Sequence, residues 1–272
     1  MSKTETKSLD QTANWQIKEI AGLKLFQADN LLEHAHAFTH AFTTRIGGAS
    51  PKPYDSFNLG RHIQDQEIIN NALANRKKLC NILNLNFANL TVPSQKHTDN
   101  IAIISKTSEL PLTDALITQT QALPILLTFA DCVPIIAFDY KLKIFAGIHA
   151  GWKGTASSIL IKTLKKMFEL GSQPNNIILA IGPAIGACCY PTSESTMESL
   201  KLSLPKKFHS NIVTQYDTPH PDLKAINRYQ ALSLNITNIS VNNYCTSCQN
   251  DTFYSHRKEN GLTGRQALIA SL

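Results

Sequence analysis

Long apolar runs are absent from this chain of 272 residues: the longest, Leu123 to Phe138, is interrupted at Thr128 and Asp131. It falls short of the roughly 20 consecutive apolar residues that a membrane-spanning helix needs, so membrane insertion is not expected. The opening residues, MSKTETKSLD, carry no hydrophobic segment after their positive charge. A secretory signal is therefore not expected, and a cytoplasmic protein with a fraying N-terminus is. Charge is also sparse, at 17% of residues and +6 net, and the basic residues are scattered in short clusters such as Arg76-Lys77-Lys78 and Lys206-Lys207. Nothing like a basic stripe forms, which argues against a nucleic-acid partner and leaves small anionic molecules as the better match. No internal repeat and no low-complexity linker divides the chain. The reading is an N-terminal extension, residues 1–30, partly flexible, followed by a single domain over 31–272.

What is present suffices for a sizeable core, since 43% of residues are hydrophobic. Short apolar runs at Ala37–Thr44, Ile101–Ile104, Ala115–Thr118, Ile125–Phe129, Ile135–Asp139, Ile144–His149, Ile177–Ile181 and Ser240–Tyr244 predict strands. Amphipathic spacing predicts helices over Gln66–Leu83, Thr155–Leu170, Thr192–Leu200 and Leu223–Leu234. The class is α/β of the mixed α+β kind, a single layered domain with mixed sheets flanked by helices. Asp139-Tyr140-Lys141 reads as a hairpin turn, which places Cys132 and His149 side by side at the outer ends of two paired strands. A thiol beside an imidazole is either a metal-ligand pair or a nucleophile with its base. His97, in the polar segment PSQKHTDN, is a third ligand candidate, and three protein ligands with an open position are the pattern of catalytic zinc. The alternative is a small buried cysteine beside a hydrogen-bonded histidine. Pro134 suggests a bulge or a strand edge that aims Cys132 outward.

After His149 comes AGWKGT, where Gly151, Lys153 and the backbone amides of a following helix capped by Thr155 offer donors to an anion. For the glycines alone, a strand-to-helix turn is the simpler reading. Arg45, in TTRIGGAS, suits bidentate recognition of an oxyanion, and Asn58, in a compact polar turn that ends at His62, offers hydrogen bonds to a base or sugar. Six cysteines in a chain of this size read as thiols or ligands rather than disulfides. Cys245 and Cys248 form a CxxC and Cys188-Cys189 is the other close pair; buried thiols are the default for both, with a structural zinc or redox site as the alternative. His34 and His36 read as surface residues.

The segments TTRIGGAS, SFNLGRH, the Asn75-Arg76 pair, SQKH, TDALIT, ADCVPI, GIHAGWKGT, IGPAIGACCY and TGRQ occur in this order. In these motifs, from about Ala37 to the C-terminus, the chain resembles the laccase-domain family. Its members are described as multicopper polyphenol oxidase-like proteins, as purine nucleoside phosphorylases and as peptidoglycan editing factors. The resemblance implies a mixed α/β fold related in its layering to cysteine-hydrolase-like toxin domains. It also implies one metal, zinc or alternatively copper (Zn2+ or Cu2+), held by His97, Cys132 and His149. The implied activity is phosphorolysis of adenosine, inosine and methylthioadenosine, with deamination of adenosine. Purine nucleosides and phosphate are then the small-molecule partners, and a homo-oligomer is compatible with the sequence. After CCY this chain continues Pro191-Thr192 where the family usually has a glutamate and a valine.

Zinc-assisted attack of water on a purine needs a proton carrier, for which Asp131 or Asp114 is available. Phosphorolysis needs a held phosphate, for which Arg45, Lys153 and the amides near Gly151 are the candidates. A second reading makes Cys132 the thiolate nucleophile of an amidase, with His149 as its base, editing a serine-containing cell-wall precursor. Copper-dependent phenol oxidation ranks third, because one ligand set does not supply the several copper sites it needs. A metal-binding scaffold without turnover is the non-enzymatic alternative.

Overall fold

The computed structural model describes residues 14–61, 63–212 and 217–272. His62 lies outside the described residues. In chain order the elements are β1 (Trp15–Ile20), β2 (Leu23–Ala28), a short α1 (Asp29–Leu32), β3 (Thr39–Thr43), α2 (Gln66–Ile82), β4 (Ile101–Ile103), β5 (Ala115–Thr118), β6 (Ile125–Phe129), β7 (Val133–Asp139) and β8 (Ile144–Ala150). They continue with α3 (Trp152–Ala156), α4 (Ile159–Glu169), β9 (Ile177–Ile181), α5 (Glu194–Leu202), α6 (Leu223–Ser233), β10 (Ile239–Val241) and β11 (Gln266–Ser271).

Two sheets form. One has the order β1-β2-β3-β11-β6 and the other β10-β9-β7-β8-β5-β4. The first is antiparallel throughout, and the second is antiparallel at its centre with parallel pairs β10-β9 and β4-β5 at its margins. Period-2 alternation explains how they stack. Ile136 and Phe138 of β7 join Ile125, Leu127 and Phe129 of β6 and Leu268 of β11 in a core between the sheets. Ile135 and Ala137 point the other way, onto Leu160, Leu164 and Met167 of α4 and Ile226 of α6. Leu126 and Ile269 leave the inter-sheet core for the opposite side, where they meet Leu79 and Cys80 of α2. The result is four layers: helix, sheet, sheet, helix. Gly147 sits where the sheets approach closely, since a Cβ there would stand 2.7 Å from Ile125 Cδ1 and 3.0 Å from Leu127 Cδ1.

The mixed α/β single-domain expectation holds, with three revisions. Residues 15–28 are not an extension: β2 pairs with β3, and Leu23, Leu25, Phe26 and Ala28 are buried. The helix expected from Thr155 to Leu170 is two helices, broken where Ser158 takes a left-handed φ of 59°, and its first turn is capped by Gly151, not Thr155. Pro134 is neither at an edge nor in a bulge, because β7 lies between β8 and β9. Pro134 faces His149 across the ladder, and His149 turns its own N–H to Asp114 O at 2.8 Å on the far side. The missing donor of proline therefore leaves nothing unpaired on β8.

Candidate active site

The β7-β8 hairpin assembles the first part of the site. Its register sets Val133 opposite Ala150 and Pro134 opposite His149, so Cys132, just before β7, lies one step diagonally from His149 on the same face. Asp131 takes a left-handed φ of 87° at the sharp turn out of β6. His97 arrives from the loop before β4, itself at a left-handed φ of 59°. The donor atoms of His97, Cys132 and His149 all lie within 4.8 Å of one another. Glycine keeps the space beside them open: a Cβ on Gly151 would crowd Cys132 Sγ and His97 Cδ2, each 3.0 Å away.

Asp114 organises this set from behind. It is fully buried. Oδ1 lies 2.7 Å from His149 Nδ1 and accepts His97 N–H at 3.1 Å, while Oδ2 accepts the N–H of Lys96 at 3.2 Å and the N–H and hydroxyl of Thr98, each at 2.7 Å. Three successive backbone donors thus wrap the loop that carries His97 around one carboxylate. Burial alone would raise the Asp114 carboxyl, but hydrogen bonds from His149 and Thr98 outweigh it and hold the group ionised, well below the ordinary range. Burial would also raise the Cys132 thiol, yet the neighbouring His149 and His97 bring it down to about 6. His149 responds in kind: burial opposes its charge, and Cys132 and Asp114 lift it to about 9.

These three donors fit a transition metal. Nδ1 of His149 is committed to a carboxylate, which leaves Nε2 as the ligand atom in the arrangement that orients metal-bound imidazoles. A thiolate and two imidazoles with space beside them match an open catalytic site.

The donors open onto a cavity of about 880 Å³. Its described lining includes Arg61, Arg76, Lys96, Arg257 and Arg265, and a single carboxylate, Asp131. Arg76 and Arg265 are unusual. Arg76 is 4% exposed and its guanidinium donates only to Leu59 O, at 2.9 and 2.6 Å, with no salt bridge among the described residues. Burial and the nearby Arg61 lower it to about 10. Arg265, partly buried, donates to the Thr263 and Gly264 carbonyls and forms no salt bridge among the described residues; burial lowers its pKa, while Cys132, Asp131 and Glu259 favour its charge. The chain between Asn58 and Gly60 ties the two together, since Leu59 N–H donates to Arg265 O while Leu59 O accepts from Arg76. A buried guanidinium and a partly buried one, neither in a salt bridge among the described residues, leave positive charge on the cavity wall for an anion.

Several expected site residues stand elsewhere. Arg45 does not line the cavity. It bonds to Glu259 at 3.1 Å, to Asn250 O at 2.8 Å and to Asp55 O at 3.0 Å, and covers the Tyr254 ring at 4.6 Å. Asn58 is fully buried, and its amide is spent on Gly60 and on Arg265 N–H. Lys153 is exposed, near Trp152 rather than in the cavity lining. Gly151 shapes the ligand set but its amide begins a helix of only five residues. Asp114 is sealed from the cavity, whereas Asp131 lines it, with its oxygens accepting Thr246 Oγ1 and Arg257 N–H, both at 2.7 Å. Arg76 and Arg265, which residue chemistry did not single out, belong to two of the shared motifs, Asn75-Arg76 and TGRQ; their shared place on the cavity wall is visible only in three dimensions. The cysteine pairs also depart from expectation. Cys188 and Cys248 are exposed, and the two pairs meet.

The chain is 34% identical over 235 residues to a purine nucleoside phosphorylase of Corynebacterium glutamicum, covering 85% of this chain and 93% of that one. It is 30% identical over 240 residues to purine nucleoside phosphorylase YlmD of Bacillus subtilis, covering 82% and 84%. The crystal structure of YlmD from Geobacillus stearothermophilus superposes with a TM-score of 0.86 at 30% identity, covering 94% of this chain and 98% of that one. The Bacillus licheniformis hypothetical protein YfiH superposes with a TM-score of 0.85 at 32% identity over the same shares. Residues 39–272 match the family described as multi-copper polyphenol oxidoreductase laccase, and with its two-sheet fold the chain belongs to that family.

Proposed function

We propose that this chain is a zinc-dependent purine nucleoside enzyme that phosphorolyses adenosine, inosine and methylthioadenosine and deaminates adenosine, working on nucleosides of the cytoplasm. The observation that carries the reading is the pairing, in one cavity, of the His97, Cys132 and His149 donors with Arg76 and Arg265, cations outside any salt bridge among the described residues. A divalent metal on those donors would supply Lewis acidity to the reacting centre.

The chain's own residues do the rest. Arg76 and Arg265, with Arg61 at the opening, hold phosphate. Its oxygen bonds to the anomeric carbon as the bond from that carbon to the base nitrogen breaks, and the base leaves with the bonding pair and takes up a proton. Trp152 and Tyr190 line the cavity and offer aromatic faces to the purine. In deamination, Asp131 carries a proton from the attacking water to the departing amino group. Asp114 does not touch substrate; it positions His149 and His97. Arg45, Asn58 and Lys153 have no part in phosphate binding.

A second reading rests on the row Cys132, His149, Asp114, which has the order of nucleophile, base and orienting acid found in thiol hydrolases. There Cys132 would open an amide of a serine-containing cell-wall precursor, and metal would inhibit.

The test is chromatography of adenosine incubated with the purified protein, with and without phosphate, before and after chelation. The purine reading expects phosphate-dependent adenine and phosphate-independent inosine, both lost on chelation and restored by zinc. Adenosine left intact by metal-replete protein sinks it, and amide hydrolysis that rises on chelation favours the second reading.

A further inference from the structure

Cys188 and Cys189 lie at the end of a short 3-10 turn after β9, and Cys245 and Cys248 lie in a turn after β10. These positions are 59 and 60 residues apart along the chain for the closest contacts, yet the four sulfurs all fall within 4.8 Å of one another. Cys248 Sγ is 3.6 Å from Cys188 Sγ and 3.4 Å from Cys189 Sγ. Four sulfurs bound at about 2.3 Å to one tetrahedral ion stand about 3.8 Å apart, so the cluster is close to the size a single ion requires.

Three further observations fit the cluster to a metal. Gly186 N–H donates to Cys245 Sγ at 3.1 Å, the kind of amide-to-sulfur bond that supports a charged ligand. Glycine at 186 leaves the cysteines room, because a Cβ would crowd Cys188 Sγ at 3.1 Å and Cys245 Cβ at 3.2 Å. Lys224 is 6% exposed and forms no salt bridge among the described residues; its ammonium donates to Asn242 O at 2.7 Å and Tyr244 O at 3.0 Å, just ahead of Cys245. Burial lowers its pKa, opposed first by Asp222 and then by the sulfurs of Cys245 and Cys188. A divalent ion with four thiolates carries two net negative charges, which a buried ammonium offsets.

We propose that Cys188, Cys189, Cys245 and Cys248 form a second metal centre, a closed tetrathiolate site for zinc that is separate from the His97, Cys132, His149 set. Its task is structural. The first loop carries Ile185 and Tyr190 and the second leads to His256 and Arg257, all on the cavity wall. Between the loops the direct ties are few: a bridge from Ala184 to Cys245, the Thr246 N–H to Ala184 O bond at 3.2 Å, the Gly186 N–H to Cys245 Sγ bond, Arg257 Nη1 on Pro191 O at 3.1 Å and the Arg257 guanidinium over the Tyr190 ring at 5.0 Å. A tetrahedral ion across the cysteines pins this side of the cavity.

The deciding experiment uses the full chain carrying His97→Ala and His149→Ala, which empties the first set and leaves the cysteines intact. Prepared under reducing conditions and dialysed against zinc, it is expected to retain about one zinc per chain by elemental analysis. Cobalt in place of zinc is expected to give the intense thiolate charge-transfer absorption of a four-sulfur site. Adding Cys188→Ser and Cys248→Ser should remove both signals. If that variant does not fold, thiol titration of the His97→Ala, His149→Ala protein decides instead: zinc should protect Cys188 and Cys248, which are otherwise exposed. Folded protein that takes up no metal on its thiols overturns the proposal, whether the cysteines then react as free thiols or are found paired as disulfides.

Discussion

Nδ1 of His149 lies 2.7 Å from Oδ1 of Asp114, and the same oxygen accepts the backbone N–H of His97. One buried carboxylate therefore sets the ring orientation of one ligand and the backbone path of another. This relationship makes the ligand set sensitive to a residue that touches neither metal nor substrate.

Asp114→Asn keeps the shape but replaces an acceptor that faces three backbone amides with a group that is half donor. Metal affinity of the His97, Cys132, His149 set is expected to fall about 10- to 100-fold, the usual effect of losing such a supporting partner. Stability should drop by about 3 kcal/mol, as when one member of a buried charge network is removed. Metal titration and denaturant unfolding check the two effects; unchanged metal affinity would contradict the positioning role.

Arg76→Gln should raise the KM for phosphate by about tenfold or more in phosphorolysis, since a charged hydrogen bond is worth about 1.5–3 kcal/mol. Conversion of adenosine to inosine, which uses no phosphate, should keep its KM. Arg45→Ala is expected to do the reverse. It breaks the contacts to Glu259, Asn250 and Asp55, so stability falls by about 2–4 kcal/mol while phosphate KM stays put. Steady-state kinetics with phosphate varied separates the two arginines.

Cys132→Asp distinguishes metal chemistry from thiol chemistry at one atom. An aspartate still offers zinc an oxygen ligand but offers no sulfur nucleophile. Purine turnover is expected to survive at a reduced level, with metal bound. Amide hydrolysis through Cys132 would vanish. Loss of every activity with full metal occupancy would point to the thiol.

His40 makes folding pH-dependent. Burial, helped by Lys18, lowers its pKa to about 3, against about 6.5 in an unfolded chain. Nε2 accepts Ala28 N–H at 3.0 Å, which requires that nitrogen to be unprotonated. Between pH 6.5 and 3 the unfolded state binds the extra proton, so stability rises with pH across this window and is lost on acidification, by up to about 1.4 kcal/mol per pH unit. His40→Gln is expected to be less stable at pH 8 and to show a shallower fall between pH 7 and pH 4. Parallel curves for the two proteins in urea unfolding would remove His40 from the account.

The hairpin that carries Cys132 and His149 was legible because it is local. Two apolar runs separated by Asp139-Tyr140-Lys141 must pair, and Asp139 Oδ1 indeed accepts the N–H of Lys141 and Leu142 at the turn. The helices α2 and α6 were legible for the same reason, as amphipathic segments with Asp65 and Asp222 capping them. β1, β2 and β11 were not. β1 is nearly all exposed, β2 is held between β1 and β3, and β11 becomes a strand by pairing with β3 and β6 from distant parts of the chain. Arg45 and Arg76 are both arginines in glycine- or asparagine-rich surroundings, and only their neighbours in space tell a structural guanidinium from one that waits for an anion.

The amino-acid sequence by itself determined the mixed α/β class, the hairpin that sets Cys132 beside His149, and the family motifs that single out His97 as the third donor. Tertiary structure alone decided that Asp114 stands behind both histidines, that Arg76 and Arg265 line the same cavity as the donors, and that two cysteine pairs some sixty residues apart converge. The division follows from range. Turn chemistry and side-chain period act over a few residues and leave their mark in order, whereas desolvation and charge pairing depend on what the folded chain brings alongside.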